Sequence, residues 1–146
     1  MGFERVSVEK LTAVIIGITV LVIAAGGVIR IYDAGESCPD WPTCFGTWGF
    51  DISEEEQIEW FDDNPSEIDS RGSSHTYTSF QIFTEWIHRL LAGALLGPLV
   101  ILNWWIIRKD EELTNEVKLA SLISVLLIGW QGFLGYVTVR LDNLHW

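Results

Sequence analysis

The chain has 146 residues, with 20 acidic and 9 basic side chains for a formal net charge of −11, 49% hydrophobic residues and 2 cysteines. The sequence has no basic patch to neutralise phosphates, which excludes nucleic-acid binding, and two cysteines do not make a disulfide-rich scaffold. The charge is unevenly spread: residues 31–84 contain 12 of the 20 acids and one base, Arg71, while long stretches elsewhere are nearly uncharged. The average therefore conceals an integral membrane chain with one acidic extramembrane insert, of a length that fits one domain.

The first apolar run, Leu11 to Ile29, has 19 residues without a charge. It would make about 28 Å of helix, close to the thickness of a bilayer core. Arg5 and Lys10 precede it, as basic residues precede a signal peptide. Signal apolar regions run only about 7–15 residues, so this run reads as a retained span. The insert that follows divides in two. Residues 30–50 are rich in Gly, Pro and Trp and contain Cys38 and Cys44; residues 51–79 are acidic and Ser-rich and read as a solvated, partly mobile loop.

A second run, Trp86 to Ile107, carries His88 and Arg89 near its start, and a third, Leu119 to Val139, has Gln131 as its most polar member. The expected fold is all-α and integral to the membrane, a single membrane domain over residues 1–146. Its three transmembrane helices lie at about 11–30, 82–107 and 118–139. Arg5 and Lys10 flank the first span, and Arg108, Lys109 and Lys118 lie between the second and third. The positive-inside tendency puts the amino terminus and loop 108–117 in the cytoplasm and the loop 31–81 outside.

Titratable residues within spans are costly and need a reason. Glu85 and His88, three apart, share a helical face near the outer boundary, and Gln131 falls in the same leaflet. The histidine has three readings: an interfacial residue, a proton carrier acting with Glu85, or an axial ligand to a haem iron. Gly93 and Gly97 form a GxxxG pair and Gly129, Gly132 and Gly135 recur every third residue, a pattern of helix packing or of room for a flat ligand. Arg30 and Arg89 stand at helix ends, either snorkelling or pairing with carboxylates such as porphyrin propionates. Cys38 and Cys44 enclose a loop stiffened by two prolines and read as a structural disulfide or a redox-active pair. Two thiols without a nearby histidine pair do not complete a zinc site. His75, in the acidic stretch, reads as solvent-facing.

Three segments together, GGVIRIYDAGESCPDWPTCFG (Gly26 to Gly46), EWIHRLLAG (Glu85 to Gly93) and QGFLGYVTVRL (Gln131 to Leu141), resemble the signature stretches of haem A synthase, in order and on the right spans. The similarity covers about two-thirds of the chain and leaves out residues 51–79. It implies a membrane oxidoreductase that converts the C8 methyl group of haem O to the formyl group of haem A for cytochrome oxidase. Carried over by residue, His88 would be an axial ligand to haem iron and Glu85 the carboxylate near the substrate methyl. Cys38 and Cys44 would be the outer-loop pair, while Arg89, Arg30 and Gln131 would belong to the cofactor-binding set. Haem b is the implied cofactor and haem O the substrate. Candidate partners are the lipid bilayer, a haem O synthase and further copies of the chain. The resemblance is to one four-helix half of the family's longer members, so a fourth helix with a second histidine is expected beyond His145.

Overall fold

The computed structural model describes residues 2–69 and 71–141, with side chains from residue 8 onward; His145 lies outside the described residues. Among the described residues the chain is helical and contains no strand, only an isolated bridge between Cys44 and Thr47. Three helical stretches are long and apolar enough to cross a membrane: Val8–Ile31, Ser79–Lys109 and Asn115–Arg140. They match the three expected spans and extend each by a few residues. Their side chains are those of lipid-facing surfaces: Ile23, Leu126 and Leu119 are 68%, 63% and 58% exposed, an apolar load no water-soluble surface carries.

α1 (Gly2–Ile31) stops at a left-handed residue, Asp33, with φ of 53°. The amide of Ala34 donates to Ile29 O at 2.9 Å, the closing bond of a Schellman-type end. Aspartate tolerates this conformation better than most residues, and the Arg71 guanidinium secures it, reaching the Asp33 carboxylate at 3.1 Å and that of Glu36 at 3.2 Å. The lone base of the insert thus holds the exit of the first span.

The acidic stretch is ordered rather than loose, which corrects the sequence expectation. α2 (Glu54–Asp63) starts at a full capping box: Ser53 Oγ accepts from the Glu56 amide, and the Glu56 side chain accepts from the Ser53 amide. Three glutamates in its first turn also suit the positive end of the helix dipole. Its inner face buries Phe61 and Gln57. The Gln57 amide replaces a backbone partner for Tyr77, accepting from its N–H at 2.7 Å and donating to its carbonyl at 2.9 Å. His75, read from the sequence as solvent-facing, is partly covered, its ring edge-on to Tyr77 at 4.9 Å.

The second span is α3 (Ser79–Arg89), a π-helical turn over Leu90–Leu96, and α4 (Gly97–Lys109). Pro98 explains the wide turn. It has no N–H to donate and its ring crowds the carbonyl four residues back, so the preceding helix opens to release that carbonyl. α5 (Asn115–Arg140) is the third span; a Cβ built on Gly129, Gly132 or Gly135 would meet nothing within 4 Å among the described residues.

The chain clusters into two compact units, Met1–Ile23 with Leu90–Phe133, and Ala24–Arg89 with Leu134–Trp146. In the first, Thr12 of α1 and Asn103 of α4 lie within weak hydrogen-bond distance, 3.3–3.5 Å. The second contains the insert, its core of Cys38, Cys44, Phe45, Phe61, Tyr77 and Ile82, and the polar cluster described next.

Candidate functional site

The site starts from one turn of α3. Glu85 and Arg89, four apart, share a face, and their side chains are only 7% and 14% exposed. Glu85 Oε1 lies 2.6 Å from Arg89 Nη2, while Oε2 accepts from the Cys38 amide at 2.9 Å and faces Ser37 Oγ at 3.0 Å. Ser37 Oγ also reaches Ala34 O at 2.8 Å and Gln81 O at 3.0 Å. One hydroxyl proton serves one of these acceptors at a time. Ser37 was not singled out from the sequence; its place beside a span exit and the cysteine loop is the signal that would have found it.

Arg89 uses its guanidinium as a plug for the cysteine loop. Nη1 donates to Asp40 O and to Thr43 O at 2.9 Å, and Nη2 donates to Cys38 O at 2.6 Å and to Glu85. Four η N–H groups meet four acceptors, the planar fork matched to its surroundings. This leaves no η donor for a propionate.

The loop that Arg89 holds is closed by the Cys38–Cys44 disulfide and contains a cis Trp41–Pro42 bond. Asp40 Oδ2 accepts from the Gly46 amide at 3.1 Å and from Thr43 Oγ1, which folds the loop over its own carboxylate. A two-residue turn follows, with Phe45 and Gly46 both at positive φ and paired amide–carbonyl bonds between Cys44 and Thr47. Phe45 accepts that unfavourable backbone because its ring packs edge-on against Trp60 and Phe61. The two cysteines are each 1% exposed. Of the two sequence readings, the redox-active pair needs sulfurs open to exchange, and the insert's aromatic core covers them.

His88 stands one turn beyond Glu85, partly buried, with its ring beside Gly26 of α1. A Cβ on Gly26 would sit 3.4 Å from Cε1 and 3.8 Å from Nδ1, so glycine lets the helix backbone run along the imidazole. Arg30, one turn after Gly26 on the same face of α1, is exposed and has no ion pair among the described residues. Gln131 is exposed on α5 and makes no side-chain hydrogen bond among the described residues.

The chain has relatives among known proteins. A family model described as cytochrome oxidase assembly protein, COX15-CtaA, matches residues 9–144. The chain belongs to this family. A heme A synthase of Shewanella oneidensis is 35% identical over 123 residues, covering 84% of this chain and 34% of the relative. One from Halalkalibacterium halodurans is 28% identical over 127 residues, covering 86% of this chain and 34% of the relative. The chain spans about a third of the length of these two relatives. No solved structure matches.

The residues fit a haem group in part. Imidazole is a suitable donor for iron, and the glycine at position 26 lets α1 pack closely against the His88 ring. Arg30 is available for a carboxylate; Arg89 is committed to the loop.

Proposed function

We propose that this protein is a haem A synthase that oxidises the C8 methyl group of haem O to a formyl group for cytochrome oxidase. The observation that carries the reading is the buried Glu85 carboxylate, fixed by Arg89, Ser37 and the Cys38 amide one turn before His88, in a chain of the COX15-CtaA family. His88 would hold iron and Arg30 a propionate; bound haem b supplies the redox chemistry. Gln131 stays a candidate for the same binding set.

Oxidising a methyl on an aromatic macrocycle removes electrons and protons and leaves developing positive charge beside the ring. A fixed carboxylate in a water-poor site stabilises that charge or takes the proton. Glu85 suits this because its orientation is set before substrate arrives, by donors on two chain segments. The change from methyl to formyl takes four electrons from the carbon, so it requires an external oxidant. Two hydroxylations of two electrons each would give the geminal diol, and loss of water the formyl group. Cys38 and Cys44 act here by fixing the loop that positions Glu85. Arg89 acts through both, as a positioning residue rather than as a haem ligand.

The basic residues at 5, 10, 108, 109 and 118 support a multi-pass cell-membrane protein with its amino terminus cytoplasmic and the cysteine loop outward. A four-helix bundle, a haem O synthase that hands over substrate, and assembly of several copies complete this reading.

The test is co-expression with a haem O synthase in a host that makes no haem A, followed by chromatographic pigment analysis. Haem A or its hydroxymethyl precursor is expected. Neither pigment with well-inserted protein would overturn the reading, and a bis-histidine optical spectrum without conversion would favour an electron carrier in its place.

A further inference from the structure

The insert carries an aromatic ridge that the Glu85 site does not use. Phe83 and Trp86 lie three apart on one face in the first turns of the helix Ser79–Lys109. Phe50 packs against both, its ring centroid 4.9 Å from Phe83 and 5.0 Å from Trp86. The Trp86 indole N–H donates to Trp48 O at 2.8 Å, so the segment around Trp48 is tied to the helix at that level. The ridge is open: Trp48 is 73% exposed, Phe83 38% and Phe50 36%.

Two observations say what covers it. The first is continuity with the span. A helix of 31 residues is about 46 Å long against an apolar core of about 30 Å, so its terminal turns lie at headgroup level. Phe83 and Trp86 belong to such a turn, where the polar-edged indole of Trp86 is favoured. The second is charge. Residues 31–84 contain 12 acids and one base, and that base, Arg71, is paired with Asp33 and Glu36. Within residues 31–84 no cation is left to attract anionic headgroups.

We propose that Trp48 and Phe50, with Phe83 and Trp86, form an interfacial anchor that seats the cysteine loop in the headgroup–acyl boundary of the bilayer. The attraction is apolar and independent of lipid charge. It would steady the loop against the same membrane that α3 enters, and it does not depend on the reaction proposed above.

The experiment uses the full chain in nanodiscs of phosphatidylcholine containing a lipid with a nitroxide on its headgroup. A bimane label is placed at Trp48→Cys, Cys38 and Cys44 being closed to the reagent as a disulfide. Gly49→Cys is a second position, since its Cβ would meet only Thr47 Oγ1, at 3.6 Å. Ile58→Cys on α2, 43% exposed, is the reference. Labels at 48 and 49 should be quenched several-fold more by the nitroxide lipid than the label at 58, equally at low and high salt and with or without phosphatidylglycerol. Three results overturn the anchor: quenching at 48 and 49 by aqueous iodide alone, shielding from both quenchers as a second copy of the chain would give, or lipid quenching that disappears at high salt.

Discussion

Glu85 Oε1 and Arg89 Nη2 lie 2.6 Å apart on one turn of α3, and through this pair the span grips a loop about fifty residues earlier in the chain. Such a pair is no large source of stability while intact, because desolvation offsets attraction. Its disruption is costly, since the surviving charge stays buried.

Arg89→Ala should therefore destabilise the insert by about 3–5 kcal/mol, leaving the buried Glu85 charge without its counter-ion and three loop carbonyls without a donor. Arg89→Lys should lie between, because one ammonium cannot satisfy a planar set of four acceptors. Denaturant unfolding in detergent, followed by near-UV circular dichroism, checks both.

Glu85→Gln preserves shape and removes charge. Product formation should fall to background while haem uptake through His88 persists; His88→Ala should lose haem uptake as well. Pigment chromatography and absorption spectra of the purified variants separate the two roles, and turnover by the Gln variant would remove the carboxylate from the chemistry.

Alkaline pH should loosen the insert. Burial, with the Asp69 carboxylate accepting from its hydroxyl, raises the Tyr77 pKa above its ordinary 10.0. Neutral Tyr77 is thus favoured by folding. Its contribution is complete below about pH 10 and is lost as pH climbs through the folded value. Tyr77→Phe should flatten this limb. At the acid end, Ser53 holds the Glu56 pKa below its ordinary 4.5, so the capping box is intact above that pH and weakens as pH falls through the folded value. Stability profiles of the wild type, Tyr77→Phe and Ser53→Ala resolve the two limbs.

Replacing both cysteines with serine should cost about 2 kcal/mol from the short closed loop alone. In the native protein, reduction should be slow, because each cysteine is 1% exposed, within the buried cluster that includes Phe61 and Tyr77. Thiol trapping over time with and without denaturant measures this; equal rates would show the sulfurs to be accessible.

The spans were legible because 19 uncharged residues in a row admit few other readings, and Glu85 with His88 stood out as titratable groups where they are expensive. The insert was harder. Nine acids in residues 51–79 suggested solvation, and the Ser53–Glu56 capping signature, although present in the sequence, was outweighed by composition. The role of Arg89 could not be read at all. A guanidinium at a helix end suits a propionate and a ring of loop carbonyls equally, and only the fold of residues 38–43 distinguishes them.

Every bond that the described residues make to the Glu85 carboxylate or the Arg89 guanidinium comes from positions 37–43 or from α3 itself. Nothing between 51 and 76 enters that set. That stretch acts on the site by packing, through Trp60 and Phe61 on Phe45, and through the ion pairs of Arg71 with Asp33 and Glu36. A reporter spliced at an exposed position that spares these residues would leave the grip on the cysteine loop intact.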